Sequence, residues 1–104
     1  MDLYELLRGA IVERRQLVAR YDGFPREFCP HILGTREGKR RVLVFQFGGE
    51  TSTGSIPSPL QGDWRCFDLD RMLEVAVREG PWHTALARSA RQRCIDTVDV
   101  AAYP

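Results

Sequence analysis

The run Arg41-Val42-Leu43-Val44-Phe45-Gln46-Phe47-Gly48-Gly49 constrains this chain more than any other stretch. Its length and its β-branched and aromatic content are those of a strand, and its apolar residues do not alternate with polar ones. That pattern predicts a central strand covered on both faces. Leu43, Phe45 and Phe47 fall on one face, and Val42, Val44 and Gln46 on the other. Gln46 is the exception, a carboxamide where a buried strand ordinarily takes an aliphatic residue. Two glycines end the run.

The chain has 104 residues, the size of one domain, and we read it as a single domain over 1–104. A chain of this length buries roughly 65% of its unfolded surface, enough for one modest core. The net charge of +1 gives no long-range pull towards polyanions or membranes. Lys39 is the single lysine among fifteen cations. Arginine forms forked contacts with phosphate and carboxylate, although base composition explains the bias equally simply. Cys29, Cys66 and Cys94 are widely spaced and odd in number, with no Cys-x-x-Cys pair. With acidic Asp2 and Glu5 where a signal peptide would be basic, this predicts reduced, buried thiols in a cytoplasmic setting. No apolar run approaches the roughly 20 residues that span a bilayer, so no membrane association is expected.

Asp2 followed by Glu5 is a capping-box arrangement, and Leu3, Leu7, Ala10 and Ile11 share a helical face. A helix is expected over about 2–14. Strands are expected over about 16–21, 26–33, 40–47, 64–69, 73–78 and 95–100, with turns at 22–25 and 35–40. Pro30 predicts an edge strand or a bulge. Residues 48–63 read as a long loop, and one helical turn is expected around 85–87. One helix and about six short strands make a mainly β, α+β protein. Its sheet is expected to be strongly bent and antiparallel, or a partly open β-barrel, with the N-terminal α-helix at one end.

Several residues form a set in chain order. Tyr21 is followed by Arg26, then Pro30-His31-x-x-Gly34, then Gln46 with Gly48-Gly49, then Trp64-Arg65-x-Phe67-x-Leu69-Asp70. This order resembles WYL domains, in particular short standalone WYL-like proteins of bacteria. The likeness covers roughly residues 7–79. Arg41-Val42-Leu43-Val44-Phe45 stands where the family's Trp-Tyr-Leu signature falls, and the single N-terminal helix leaves no room for a helix-turn-helix. The resemblance implies an SH3-like or Sm-like barrel and a regulatory ligand-binding or sensor role. The implied partner is a nucleotide, a nucleic-acid segment or another anionic ligand.

The candidate ligand-binding residues are Arg26, His31, Gln46, Gly48, Gly49, Ser52, Trp64 and Arg65. Arginine forks suit phosphate, the amide suits base edges, a Gly48–Gly54 nest of N–H groups suits an anion, and Trp64 suits stacking. The plainer reading pairs Arg26 and Arg65 with Glu27 or Asp68 at the surface. It leaves Gln46 and His31 to satisfy loop backbone, and Trp64 to pack in the core. Cys29, His31, His83 and Cys94 lack zinc-site spacing, and no nucleophile motif is present, so neither metal, cofactor nor catalysis is expected. The alternative function is an interaction module that meets a protein partner, or a second copy, through a strand edge or the 48–63 loop.

Overall fold

The computed structural model describes residues 1–85 and 92–102. Helix α1 spans Leu3–Glu13. Asp2 caps it by accepting the Glu5 N–H at 2.8 Å, and Arg14 closes it in the left-handed conformation. Leu7, Ala10 and Ile11 form its buried stripe.

Among the described residues seven antiparallel strands follow: β1 Gln16–Tyr21, β2 Phe24–Arg36, β3 Lys39–Thr51, β4 Gly54–Ser55, β5 Asp63–Asp68, β6 Met72–Arg78 and β7 Thr97–Ala101. Short 3₁₀ turns occupy Pro59–Gln61 and Leu69–Arg71. Strands β6, β1, β2 and β3 lie side by side. Beyond β3, its far edge pairs with β5 through Arg41–Gln46 and with β4 through Glu50–Thr51. The result is a curled antiparallel half-barrel with one helix, the mainly β, strongly bent architecture expected. Two-residue turns at Asp22-Gly23 and Glu37-Gly38, all four residues at positive φ, join β1 to β2 and β2 to β3.

The apolar run is accounted for by the two layers it separates. Val42 and Val44 pack with Leu7, Ile11, Leu17, Phe28 and Phe67 on the helix side. On the opposite side Leu43 packs with Ile32, Cys94 and Ile95, while Phe45 and Phe47 pack with Cys29, Trp64 and Trp82. The returning chain thus covers the face that the helix does not.

Four expectations are corrected. Cys66 and Cys94 are joined in a disulfide, so only Cys29 is a free thiol, buried, with burial pushing its pKa up to about 11. Strand β2 is longer than 26–33 and is central, so of the two readings Pro30 offered, edge or bulge, the bulge is the one found. It pairs with β1 through residues 24–28 and with β7 through residues 32–35, and a register shift at Pro30/Ile32 falls between these partners. A residue without an N–H is tolerated at that irregularity. Residues 48–63 are not one loop, because β3 continues to Thr51, turns into β4 and is followed by the 3₁₀ turn. The last strand begins at Thr97, with 95–96 outside it. The helical turn expected at 85–87 falls largely outside the described residues, and Ala85 itself has no regular structure.

Candidate functional site

The strands bring two arginines to one concavity. Register places Arg65 of β5 opposite Val44 and Phe67 opposite Val42, so Arg65 continues the helix-side row beyond the core. Arg26 stands opposite Ala19 on the same side. Between them lies a cleft of about 360 Å³. Its walls are Tyr21 and Asp22 from the end of β1, Phe24 and Arg26 from β2, the exposed Ser52, and Trp64 to Phe67 of β5.

Arg26 is only 6% exposed. Its Nε and Nη2 donate to the Tyr21 carbonyl at 3.4 and 3.1 Å, and its Nη1 donates to Gln46 Oε1 at 3.2 Å. The rings of Tyr21, Phe24 and Phe67 lie 5.5–5.6 Å from the guanidinium carbon. A guanidinium carries five N–H donors, so one on each Nη remains unused among the described residues. No carboxylate lies within ion-pair distance of Arg26 there. Burial, and then the nearby Arg65 charge, lower its pKa. Arg65 is half-buried, and its Nε is enclosed without a hydrogen-bond partner.

The acids that could have neutralised this pair are engaged elsewhere. Glu27 holds Arg78 at 2.7 Å, Asp68 holds Arg41 at 2.7 Å, and Asp22 is bound by Arg71. The surface pairing of Arg26 and Arg65 with Glu27 or Asp68 is therefore not what the structure shows.

Gln46 sits behind the cleft, fully buried. Its Nε2 donates to the carbonyls of Gly48 at 2.9 Å and Glu50 at 3.1 Å, and its Oε1 accepts from Arg26. Its role is to fix the Arg26 guanidinium and the β3 backbone; it does not reach the cleft wall. Gly48 and Gly49 are ladder residues of β3 beside Glu27 and Arg26. Gly49 has φ +80°, and a Cβ there would collide with the Pro25 carbonyl. No nest of free N–H groups forms at the hairpin tip. The Thr53 N–H goes to Thr51 Oγ1 at 3.1 Å, and the Ile56 N–H goes to the Gly49 carbonyl at 2.9 Å.

His31 does not line the cleft. Its Nδ1 donates to the Cys29 carbonyl at 2.8 Å, which leaves Nε2 to accept from Thr84 Oγ1 at 2.9 Å. The ring is packed between Trp64 and Trp82 at 4.7 and 4.6 Å, and burial pushes its pKa down to about 4. Trp64 spans both regions. It forms part of the cleft wall, packs edge-on against Phe45 and encloses an indole N–H without a partner.

Of the eight sequence candidates, then, Arg26, Ser52, Trp64 and Arg65 meet at the cleft, Gln46, Gly48 and Gly49 support it, and His31 is separate. Sequence reasoning missed Tyr21, Asp22, Phe24 and Phe67. The alternation of β1 and β5 marks Tyr21 and Phe67 as inward-facing, but only the register shows them gathered around one guanidinium. Comparison with protein-family models, with curated proteins and with solved structures finds no match to this chain.

Proposed function

We propose that the chain is a small ligand-binding or sensor module that takes an anionic, phosphate-bearing ligand such as a nucleotide or nucleic-acid segment in the Arg26–Arg65 cleft. One observation carries the reading: two guanidiniums line one concavity, and no carboxylate forms an ion pair with either among the described residues. Like charges brought together in a partly desolvated site repel, and an anion between them relieves that repulsion. Arg26 is already oriented by Tyr21 and Gln46, so little ordering is lost on binding. The WYL-like resemblance points to the same ligand class. No part of the reading requires catalysis or a cofactor.

The test is calorimetric titration of wild type and Arg65→Gln with nucleotides and short single-stranded DNA at two salt concentrations. Wild type should bind, salt should weaken the binding, and Arg65→Gln should lose at least about tenfold in affinity. Absence of binding to wild type at millimolar nucleotide and micromolar DNA overturns the reading.

A second reading is favoured by strand β6, whose outer edge is unpaired among the described residues and which exposes Leu73 and Val77. That edge suits a protein partner or a second copy. Sedimentation as a strict monomer at high concentration would count against self-association there. Among the described residues no helix is long and apolar enough to cross a membrane. With Cys66 bonded to Cys94, the cysteines no longer argue for a reducing, cytoplasmic setting.

A further inference from the structure

We infer that the cleft selects a phosphomonoester, the dianionic phosphate at the end of a nucleotide or strand, over the internal phosphodiester of a chain or ring. The inference rests on the anion-binding reading above and deepens it. Two features of the charge layout carry it.

The first is stoichiometry. Arg26 and Arg65 place two positive charges on one concavity, and neither forms an ion pair with a carboxylate among the described residues. Asp22 on the wall is bound by Arg71 and lies within electrostatic reach of Arg26, so it offsets only part of the pair's charge. A phosphomonoester carries about −1.5 to −2 at neutral pH and three terminal oxygens, whereas a diester carries one charge and two such oxygens. Only the monoester balances both guanidiniums. The two unused N–H donors of Arg26 and the Nη donors of Arg65 are more than enough for three terminal oxygens.

The second is the absence of a track. Proteins that follow a nucleic-acid backbone line it with successive uncompensated cations. Here the neighbouring arginines are neutralised one by one: Arg71 by Asp22, Arg41 by Asp68, Arg78 by Glu27, and Arg20 by Glu74 at 3.8 Å. Among the arginines around the cleft, the charge without an ion pair is left at Arg26 and Arg65. A diester threading through would gain one contact and then meet balanced ion pairs.

Matched ligands test this by calorimetry on the full chain. Adenosine 5′-monophosphate and adenosine 3′,5′-cyclic monophosphate share base and sugar but differ in phosphate charge. Wild type should bind the monoester at least about tenfold more tightly at pH 7.5. The preference should shrink towards pH 5 as the phosphate regains its second proton near pH 6. Arg65→Gln should bring the two affinities together. A 5′-phosphorylated and a 5′-hydroxyl oligothymidine of equal length then separate the sources. Preference for the phosphorylated oligomer assigns a strand end, and no difference alongside retained monophosphate preference assigns the free nucleotide. Equal binding of both adenosine nucleotides by wild type overturns this inference while leaving anion binding intact. Binding of none of these ligands overturns both.

Discussion

Replacing Gln46 by leucine tests whether the carboxamide behind the cleft is a structural keystone. The side chains are similar in volume, so the change removes polarity with little change of packing. Three buried hydrogen bonds disappear: two to the carbonyls of Gly48 and Glu50, and one from Arg26. Leaving a charged donor unsatisfied costs about 1.5–3 kcal/mol, and each neutral bond contributes about 0.5–1.5 kcal/mol. Burial of the leucine returns about 1–2 kcal/mol. The expected net loss is centred at about 3 kcal/mol, equivalent to roughly 12–24 °C in Tm for a domain of this size. Urea denaturation followed by Trp64 and Trp82 fluorescence measures it. A double-mutant cycle with Arg26→Met should then show coupling of about 1 kcal/mol or more, because the two side chains share a bond. If Gln46→Leu melts within about 0.5 kcal/mol of wild type, the carbonyls and the guanidinium find other partners at no cost, and the supporting role assigned to Gln46 is wrong.

The Cys66–Cys94 bond closes a loop with a sequence separation of 28, for which chain entropy gives about 3–4 kcal/mol; reductant should lower the urea midpoint accordingly, and three alkylatable thiols in unreduced, denatured protein would refute the bond. His31 is neutral in the folded protein, with its pKa held at about 4 against 6.5. A folded value below the unfolded one means the unfolded chain takes up the proton first. Stability is therefore full above pH 6.5 and declines as pH falls towards 4, by up to about 3 kcal/mol. The slope should flatten in His31→Gln, and an NMR titration of His31 near pH 6.5 would contradict this. Phe45→Ala removes a ring packed against Trp64 and should cost about 3–5 kcal/mol; near wild-type stability by urea titration would show that the second layer contributes little.

Much of this was legible in local pattern. The cap at Asp2, the stripe Leu7-Ala10-Ile11 and the two faces of the apolar run follow from periods that any short window reveals. So does the oddity of Gln46, since a lone amide in an apolar strand must find partners. What escaped was non-local. Cys66 and Cys94 become neighbours only because β5 lies on β3 while the chain returns over the same face through Ile95. No spacing rule carries that. Pro30 left an edge strand and a bulge both open, and only the partners decide between them: the irregularity at Pro30/Ile32 falls where β2 passes from β1 to β7. The Gly48–Gly54 stretch has the composition of a loop, yet glycine is required in β3 at Gly49, where the strand needs positive φ beside Pro25. His31 and Arg26 read alike as polar strand residues, and only the register sends one between two tryptophans and the other to the cleft.

The β2–β3 hairpin also carries a kinetic consequence. Its two-residue turn at Glu37-Gly38 makes the adjoining pairs the most local contacts of these long strands, so zipping starts there on the microsecond scale. Arg26, Gln46 and Gly49 lie at the opposite, open end. The β2–β3 pairs beside the cleft are thus the least local of that hairpin. An occupied site should act as a clasp on that end, slowing amide hydrogen exchange at 24–28 and 46–50 while leaving the pairs next to the turn unchanged.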